Sequence, residues 1–237
     1  MIGVGSFLGL GNTLKSFGVA VNAVFASVVS AFNADGDADD ELAYANGTLT
    51  NGATATGTAK VGTYSFSFDG VNDYITFPNN SWNLLGDYSF SCWFLTTDNA
   101  QRQTIIGNFT GFSGNYKGWY LELSGGNLVL HVTNNATLSY AWNPSNNTWY
   151  HVAFTRVDAG TIIFYINGSQ VATSSIAIQD TYAATQYCRI GVLEYDVASF
   201  QGYMKGRLDA IQIFSSALTA GDITTLYNSG NGLQYPN

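Results

Sequence analysis

Short runs of alternating apolar and polar residues fill most of residues 61–214, and Gly, Asn, Ser and Asp separate them. Alternation with a period of two puts successive side chains on opposite faces of a strand, so these runs predict short β-strands with one buried face. Gly125 and Gly126 lie between two such runs, and Asn167 and Gly168 between two others. These pairs suit the positive φ angles of hairpin turns, so the pattern predicts an antiparallel β-sandwich.

The segment SFDGVNDYITF, residues 67–77, predicts a strand, a turn and a second strand. Phe66 and Phe68 share one face of the first strand, and Gly70 ends it. The short acidic and amide side chains that follow hydrogen-bond readily to nearby backbone. We therefore interpret the segment as the first hairpin. The residues that we expect to form its turn, rather than to bind a ligand, are Asp69, Asn72 and Asp73.

A short helix is predicted near the carboxyl end. Thr219 and Asp222 have the spacing of a capping arrangement, and Ile223 and Leu226 begin one apolar face. Gly230 is the expected end of the helix.

The amino-terminal region has a different, helix-like spacing of apolar residues. These residues are Phe7, Leu10, Leu14, Phe17, Val21, Val24 and Val28. We divide the chain into an apolar arm, residues 1–26, and one β-domain, residues 27–237. The arm has two interpretations: a docking or oligomerising segment, which we favour, or a secretory signal, although Lys15 is its sole cation. A membrane span is disfavoured because no clean apolar stretch is long enough.

The amino-acid composition argues against nucleic acid and anionic membranes as binding partners. Only 10% of residues are charged, the formal net charge is −8 and the pI is about 4.4. An acidic chain without a basic run is repelled by nucleic acid and by anionic membranes. The two cysteines, Cys92 and Cys188, lie in apolar runs and favour buried free thiols over a disulfide bond.

Three segments resemble the laminin-G-like, concanavalin A-like jelly-roll superfamily, and its pentraxin-like branch in particular. They are the FDG segment, NTWYHVAFTRVDAGTIIFYINGSQV at residues 147–171, and FQGYMKGRLDAIQIFSSALTAGDITTLYNSG at residues 200–230. The resemblance covers most of residues 32–230 and implies an all-β fold. That fold is a two-sheet antiparallel jelly-roll sandwich, with a short C-terminal helix and an apolar N-terminal arm.

The resemblance also implies calcium. Pentraxins hold it with a neighbouring Asp and Asn and with a Glu-x-Asp pair, and the matching residues here are Asp98, Asn99, Glu194 and Asp196. A further Gln ligand is missing, since Met204 and Lys205 stand near its place.

The resemblance implies a second, structural calcium site. In many relatives a residue matching Asp209 holds a structural calcium, to which the acid-rich loop 35–41 could add oxygens. The alternative is that these acids and amides bind no metal, but lie solvated in surface loops or accept hydrogen bonds from nearby backbone.

Related glycoside hydrolases carry a Glu-x-Asp-x-x-Glu strand whose two glutamates act on the sugar bond. Glu194 and Asp196 begin that pattern, but Ser199 stands where the second Glu belongs. His131 and His151 lie in strand-like runs without a nucleophile motif. We therefore expect no catalysis.

Aromatic side chains are the best candidates for ligand contact because sugar rings stack on their faces, although core packing is the alternative for each. Tyr195, between the two candidate acids, is the first choice. The candidate ligand-binding residues are Tyr195, Tyr116, Trp119, Phe200 and Tyr203.

The sequence therefore predicts a non-catalytic, lectin-like module that binds a glycan or a cell-surface receptor. We expect it on a phage or virus particle, as a homo-oligomer or bound to neighbouring subunits through residues 1–30. The alternatives are a secreted carbohydrate-binding or adhesion module and, less favoured, a glycoside hydrolase.

Overall fold

A computed structural model gives the structure of the chain and describes residues 23–112, 115–133, 136–157, 160–175 and 182–236. Residues 1–22, which make up most of the predicted arm, lie outside these ranges. In chain order the strands are β1 (Val28–Phe32), β2 (Thr48–Thr50), β3 (Thr54–Gly57), β4 (Tyr64–Asp69), β5 (Tyr74–Thr76), β6 (Tyr88–Thr96), β7 (Gln103–Phe112), β8 (Asn115–Ser124), β9 (Asn127–Val132), β10 (Ala136–Ala141), β11 (Tyr150–Val157), β12 (Thr161–Ile166), β13 (Ser169–Ser175), β14 (Tyr187–Ile190), β15 (Leu193–Asp196), β16 (Ser199–Gln201) and β17 (Lys205–Phe214). A helix, α1 (Ala220–Tyr227), follows them.

The strands form two large antiparallel sheets. An eight-stranded sheet has the order β13-β12-β11-β6-β17-β4-β3, with β1 also paired to β17. A seven-stranded sheet has the order β10-β9-β8-β7-β14-β5-β2. The small β15–β16 hairpin forms a third, two-stranded sheet. This architecture confirms the predicted two-sheet antiparallel sandwich.

The main core lies between the two large sheets. Strand β9 shows the predicted alternation, with Leu128, Leu130 and Val132 buried and the residues between them half-buried. Trp82, Trp119 and Phe154 are among the largest fully buried side chains. Burying a large apolar side chain stabilises a fold by about 1.5–3 kcal/mol, so this core dominates the stability of the sandwich.

The other face of the eight-stranded sheet is also covered. Val24, Phe25 and Val28 form a second apolar cluster there together with Ile223 and Leu226 of α1. This cover explains why every residue of the central strand β6 is buried. Val24 and Phe25, which we assigned to the arm, therefore pack against the β-domain in the described part of the chain.

The predicted turns and helix are confirmed. Gly125, Gly126, Asn167 and Gly168 all have positive φ angles at the ends of their hairpins. Thr219 caps α1 in a complete capping box with Asp222. The helix ends earlier than predicted, because Asn228 adopts the left-handed conformation at its C-cap before Gly230 is reached.

The FDG segment does not form a hairpin, so that prediction is wrong. Strand β4 pairs with β3 and β17 in one sheet, whereas β5 pairs with β2 and β14 in the other. The turn between them carries the chain across the sandwich. Its acids do form the turn: Asp69 accepts from Val71 N, and Asp73 accepts from Gly52 N and Asp69 N.

Cys92 and Cys188 are free, buried thiols, and burial raises the pKa of each. Within the described residues, no helix is both long and apolar enough to cross a membrane.

Candidate functional site

The outer face of the seven-stranded sheet carries the candidate site. In β8, Trp119 and Leu121 point into the core, so Tyr116, Tyr120 and Glu122 lie on the opposite, outer face. Across the sheet, Tyr120 is opposite Gly107 of β7 on one side and His131 of β9 on the other. The alternation that builds the core therefore also builds an aromatic outer surface.

Two glycines make room for this surface. A Cβ atom on Gly111 would lie 2.5 Å from the ring of Tyr116, and one on Gly107 would lie 3.3 Å from Tyr120 Cβ. A larger residue at Gly111 would displace the tyrosine ring. The glycines of β7 thus allow the β8 tyrosines to lie across the neighbouring strand.

The β15–β16 hairpin stands over this face, and the two together line an open cavity of about 680 Å³, which we call the outer pocket. Leu193 of the hairpin packs against Phe109 and Tyr120 of the sheet. Four further residues of the hairpin line the cavity with polar or aromatic groups: Tyr195, Asp196, Ser199 and Gln201. The lining consists of Phe109, Gly111, Tyr116, Tyr120, His131, Leu193, Tyr195, Asp196, Ser199 and Gln201.

Aromatic rings in the outer pocket support one another. Phe109 stacks on Tyr116 with 6.0 Å between ring centroids, and Tyr120 meets the edge of Phe109 at 4.9 Å. His131 lies parallel to Tyr120 at 4.2 Å and an angle of 9°. Tyr195 is 36% exposed, so its ring is available to a ligand from solvent. Such rings give flat apolar surfaces with polar tips.

A buried carboxylate orders the polar groups beside these rings. Glu122 is 3% exposed and accepts from Arg102 Nε at 2.7 Å, and its Oε1 lies 3.0 Å from His131 Nε2. Arg102 also donates to Gln201 Oε1 at 2.5 Å, which ties the sheet to β16. Burial, followed by the charge of Glu122, raises the pKa of the Tyr120 hydroxyl, so this hydroxyl stays protonated at neutral pH.

Three of the residues predicted from sequence lie together in the outer pocket: Tyr116, Tyr195 and Asp196. Trp119 does not, because it is 1% exposed and packs in the core against Tyr88 and Phe154. This burial contradicts its assignment as a ligand contact, because the ring is not accessible from solvent.

Phe200 and Tyr203 lie elsewhere. Phe200 points away from the cavity that Ser199 and Gln201 line, as strand alternation requires. Its ring lies 5.2 Å from that of Tyr74 and 6.4 Å from that of Tyr203. The two residues thus form a separate aromatic patch with Tyr74.

The four residues matched to the pentraxin calcium site do not converge as one group. Lys205 Nζ lies 3.3 Å from Asp98 Oδ2, and Asn99 donates to Pro144 O. Arg189 Nη2 lies 2.6 Å from Glu194 Oε2. Among the residues that the structure describes, no three or more His, Cys, Asp or Glu side chains are grouped as metal ligands.

Asp209 is fully buried and surrounded by hydrogen-bond donors. Its Oδ2 accepts from the backbone N–H groups of Lys60 and Val61, and its Oδ1 from that of Ala210. Burial raises its pKa to about 6. Asp40 of the acid-rich loop is used in the same way, since it accepts from Ala31, Leu42 and Ala45. A calcium ion binds to the lone pairs of carboxylate oxygens. In Asp209 and Asp40 these oxygens already accept hydrogen bonds from backbone N–H groups.

Sequence reasoning missed Phe109, Tyr120, His131 and Gln201 as lining residues. A signal existed for Tyr120: it follows Tyr116 by four positions in a run whose intervening Trp119 belongs to the apolar face. His131 follows the same rule in β9, between buried Leu130 and Val132.

Comparison with known proteins gives a family and a set of structural neighbours. The laminin G model described as "Concanavalin A-like lectin/glucanases superfamily" matches residues 69–224. No curated protein matches the chain.

Solved structures similar to this chain include receptor-binding domains of botulinum neurotoxins. The serotype D ligand-binding domain in complex with N-acetylneuraminic acid is 21% identical, with a TM-score of 0.67 over 88% of this chain and 52% of that one. A type C structure, whose cell entry depends on two ganglioside molecules, is 18% identical with a TM-score of 0.67 over 88% and 52%. A DC domain in complex with rat synaptotagmin II is 18% identical with a TM-score of 0.62 over 87% and 52%. The chain spans about half the length of these proteins, and the likeness shows a shared fold.

Proposed function

Because the chain belongs to the concanavalin A-like lectin/glucanases superfamily, we propose that it is a lectin-like module that binds a glycan in the outer pocket. The observation that carries the proposal is the composition of that pocket. Tyr116, Tyr120 and Tyr195 offer ring faces, while Asp196, Ser199 and Gln201 offer hydrogen-bonding groups. A sugar ring has apolar C–H faces and a rim of hydroxyls, so it needs both kinds of contact at once.

A glycan array followed by calorimetric titration tests this proposal. Tyr195→Ala removes an exposed ring, and we expect the affinity for the best glycan to fall about tenfold or more, the loss of roughly 1.4 kcal/mol or more. Tyr116→Ala should act in the same direction. Tyr64→Ala on β4 is the matched control, because Tyr64 is exposed to nearly the same degree, 37%, but lies on the other large sheet.

The affinity should be unchanged in the Tyr64 variant. Equal loss in all three variants would indicate a general effect on the fold, and an unchanged affinity in Tyr195→Ala and Tyr116→Ala would refute the outer pocket as the binding site.

Binding without catalysis is part of the proposal. Asp196 is the one acid that lines the outer pocket in the described chain, whereas the side chain of Glu194 is buried beside Arg189. Glycoside hydrolysis uses two carboxyl groups that flank the sugar bond. Turnover of a β-glucan that disappears in Glu194→Gln would contradict this part.

We also propose that the module serves on the surface of a phage or virus particle, joined to its assembly through the apolar arm. Support comes from the apolar spacing in residues 1–26 and from the low fraction of charged residues. The alternative is a secreted carbohydrate-binding or adhesion module whose leader is removed. Intact-mass measurement of the native protein separates the two, because secretion would shorten the chain at its amino end.

A further inference from the structure

The charged side chains in and around the outer pocket bear on whether a charged or an uncharged sugar fits there. If the pocket binds a glycan, as proposed above, we infer that the glycan is uncharged at the pocket and that Asp196 discriminates against sialic acid and other acidic sugars. Most charges near the cavity are neutralised by a partner, and that of Asp196 is not.

Two arginines near the outer pocket are already paired with acids. Arg102 is bonded to Glu122, and Arg189 lies against Glu194. The guanidinium of Arg102 also donates a hydrogen bond to Gln201 Oε1. The guanidinium of Arg189 donates to Cys188 O at 2.7 Å. Neither arginine lines the outer pocket, and the charge of each is balanced by its carboxylate partner, so neither presents a free positive charge to a ligand carboxylate there.

Asp196 differs from Glu122 and Glu194 because no cation is paired with it in the described part of the chain. It lines the cavity, its Oδ1 accepts from the adjacent backbone N–H of Val197 at 2.7 Å, and within the described residues it forms no ion pair. His131, which also lines the cavity, is bonded to Glu122 rather than to Asp196. Because Glu122 is paired with Arg102, Asp196 is the lining acid whose charge no ion pair offsets in the described part of the chain.

A ligand carboxylate placed beside Asp196 meets a like charge in a partly enclosed space, where water screens it less than at an open surface. The hydroxyls of an uncharged sugar donate to the same carboxylate. The whole chain adds to the discrimination with its formal net charge of −8. Lys117 is the cation nearest to these residues along β8, next to Tyr116, but it does not line the cavity.

The test uses glycan pairs that differ only by a terminal N-acetylneuraminic acid, titrated against the full chain at pH 7.5 and low salt. We expect the uncharged member of each pair to bind about tenfold or more tightly, and the difference to shrink as salt screens the repulsion. Asp196→Asn keeps the shape and removes the charge, so it should narrow the difference. Asp37→Asn, an equal charge change at an exposed residue of loop 35–41, should leave the difference unchanged.

The inference is overturned if the sialylated member binds as tightly or more tightly, if Asp196→Asn leaves the difference as it was, or if acidic glycans bind through Lys117 and lose affinity in Lys117→Ala. If no glycan binds at all, the proposed function fails and the inference fails with it. If glycans bind but Tyr195→Ala has no effect, the site is elsewhere and this selectivity cannot be assigned to Asp196.

Discussion

Asp209 shows how one buried carboxylate can organise a loop and make it sensitive to pH. It accepts hydrogen bonds from three backbone N–H groups, yet burial raises its pKa to about 6 because desolvation of the charge outweighs them. In the unfolded chain an Asp titrates near its ordinary value of 3.8. The folded state therefore binds the proton more tightly than the unfolded state between these two values.

From this difference we predict that Asp209 makes the free energy of unfolding decrease as pH rises from about 4 to about 6, by up to about 3 kcal/mol. In Asp209→Asn this slope should disappear. The variant should also be less stable by about 1–3 kcal/mol, because an amide NH₂ then faces a backbone N–H. Urea denaturation at several pH values measures both effects. An unchanged slope in the variant would contradict the assignment to Asp209.

Calcium at Asp209 stays a prediction of the family resemblance, and the same variant tests it. If calcium binds there, EDTA lowers the melting temperature of the unmodified chain and has no effect on Asp209→Asn. If EDTA changes neither protein, the hydrogen bonds from Lys60, Val61 and Ala210 are the whole function of this carboxylate.

Residue types and spacing predicted part of the candidate site. Tyr195 and Asp196 were found because they belong to a motif, and Tyr116 because it is aromatic and near a turn. Trp119 met the same criteria, yet it faces the core. Local sequence gives the alternation along β8 but does not decide which of its two faces meets the opposite sheet, since that depends on residues far away in the chain.

At the scale of elements, the β15–β16 hairpin is the part that turns a flat sheet face into a pocket. It is anchored from below by the ion pair between Arg189 and Glu194, whose Oε1 also accepts from Ala198 N in the turn. Both side chains are nearly buried. An unpaired charge in such a place is costly, so the hairpin depends on the pair.

We predict that Glu194→Gln lowers the free energy of unfolding by about 1–3 kcal/mol, because Arg189 loses its counter-charge. Amide hydrogen exchange should increase in residues 193–201, and glycan affinity should fall, because the hairpin carries Tyr195 and Asp196. A double variant, Arg189→Leu with Glu194→Leu, should recover part of the stability, since no charge is left buried. Equal exchange rates in the Glu194→Gln and unmodified chains would show that the pair does not anchor the hairpin.

The FDG segment shows where sequence reasoning about elements ends. Its two strands and its turn residues were predicted, but their pairing was not, because β4 and β5 choose partners in different sheets. Their nearest partners along the chain, β3 and β2, precede the segment, and β14 and β17 come from residues more than a hundred positions later. Hydrophobic alternation is identical for a hairpin and for a crossover between sheets.

At the scale of the whole molecule, the two large sheets differ in what covers their outer faces. The eight-stranded sheet is covered by α1 and by Val24, Phe25 and Val28, whereas the seven-stranded sheet has the outer pocket under the β15–β16 hairpin. The family resemblance predicted both sheets because the motifs cover most of the chain. It did not predict this asymmetry, which arises from contacts between the two ends of the chain.

Because Val24, Phe25 and Val28 pack on the eight-stranded sheet, the proposed anchoring role of the arm can be tested only by a deletion that stops before them. Deleting residues 1–22 removes none of the described residues of the second cluster, so we predict a melting temperature within about 2 °C of the full chain and unchanged glycan affinity. Deletion through residue 32 also removes β1 and the buried Val24 and Phe25, and should lower the free energy of unfolding by more than the roughly 2–5 kcal/mol of a single large core truncation.

Only the shorter deletion therefore separates anchoring from folding. If residues 1–22 join the module to its assembly, the shortened chain folds, binds its glycan and is absent from assembled particles, which quantitative gel analysis of purified particles measures. Full occupancy by the shortened chain would reject the arm as the anchor. Because the outer pocket lies on the sheet that Val24, Phe25 and Val28 do not cover, we expect glycan binding to be independent of either result.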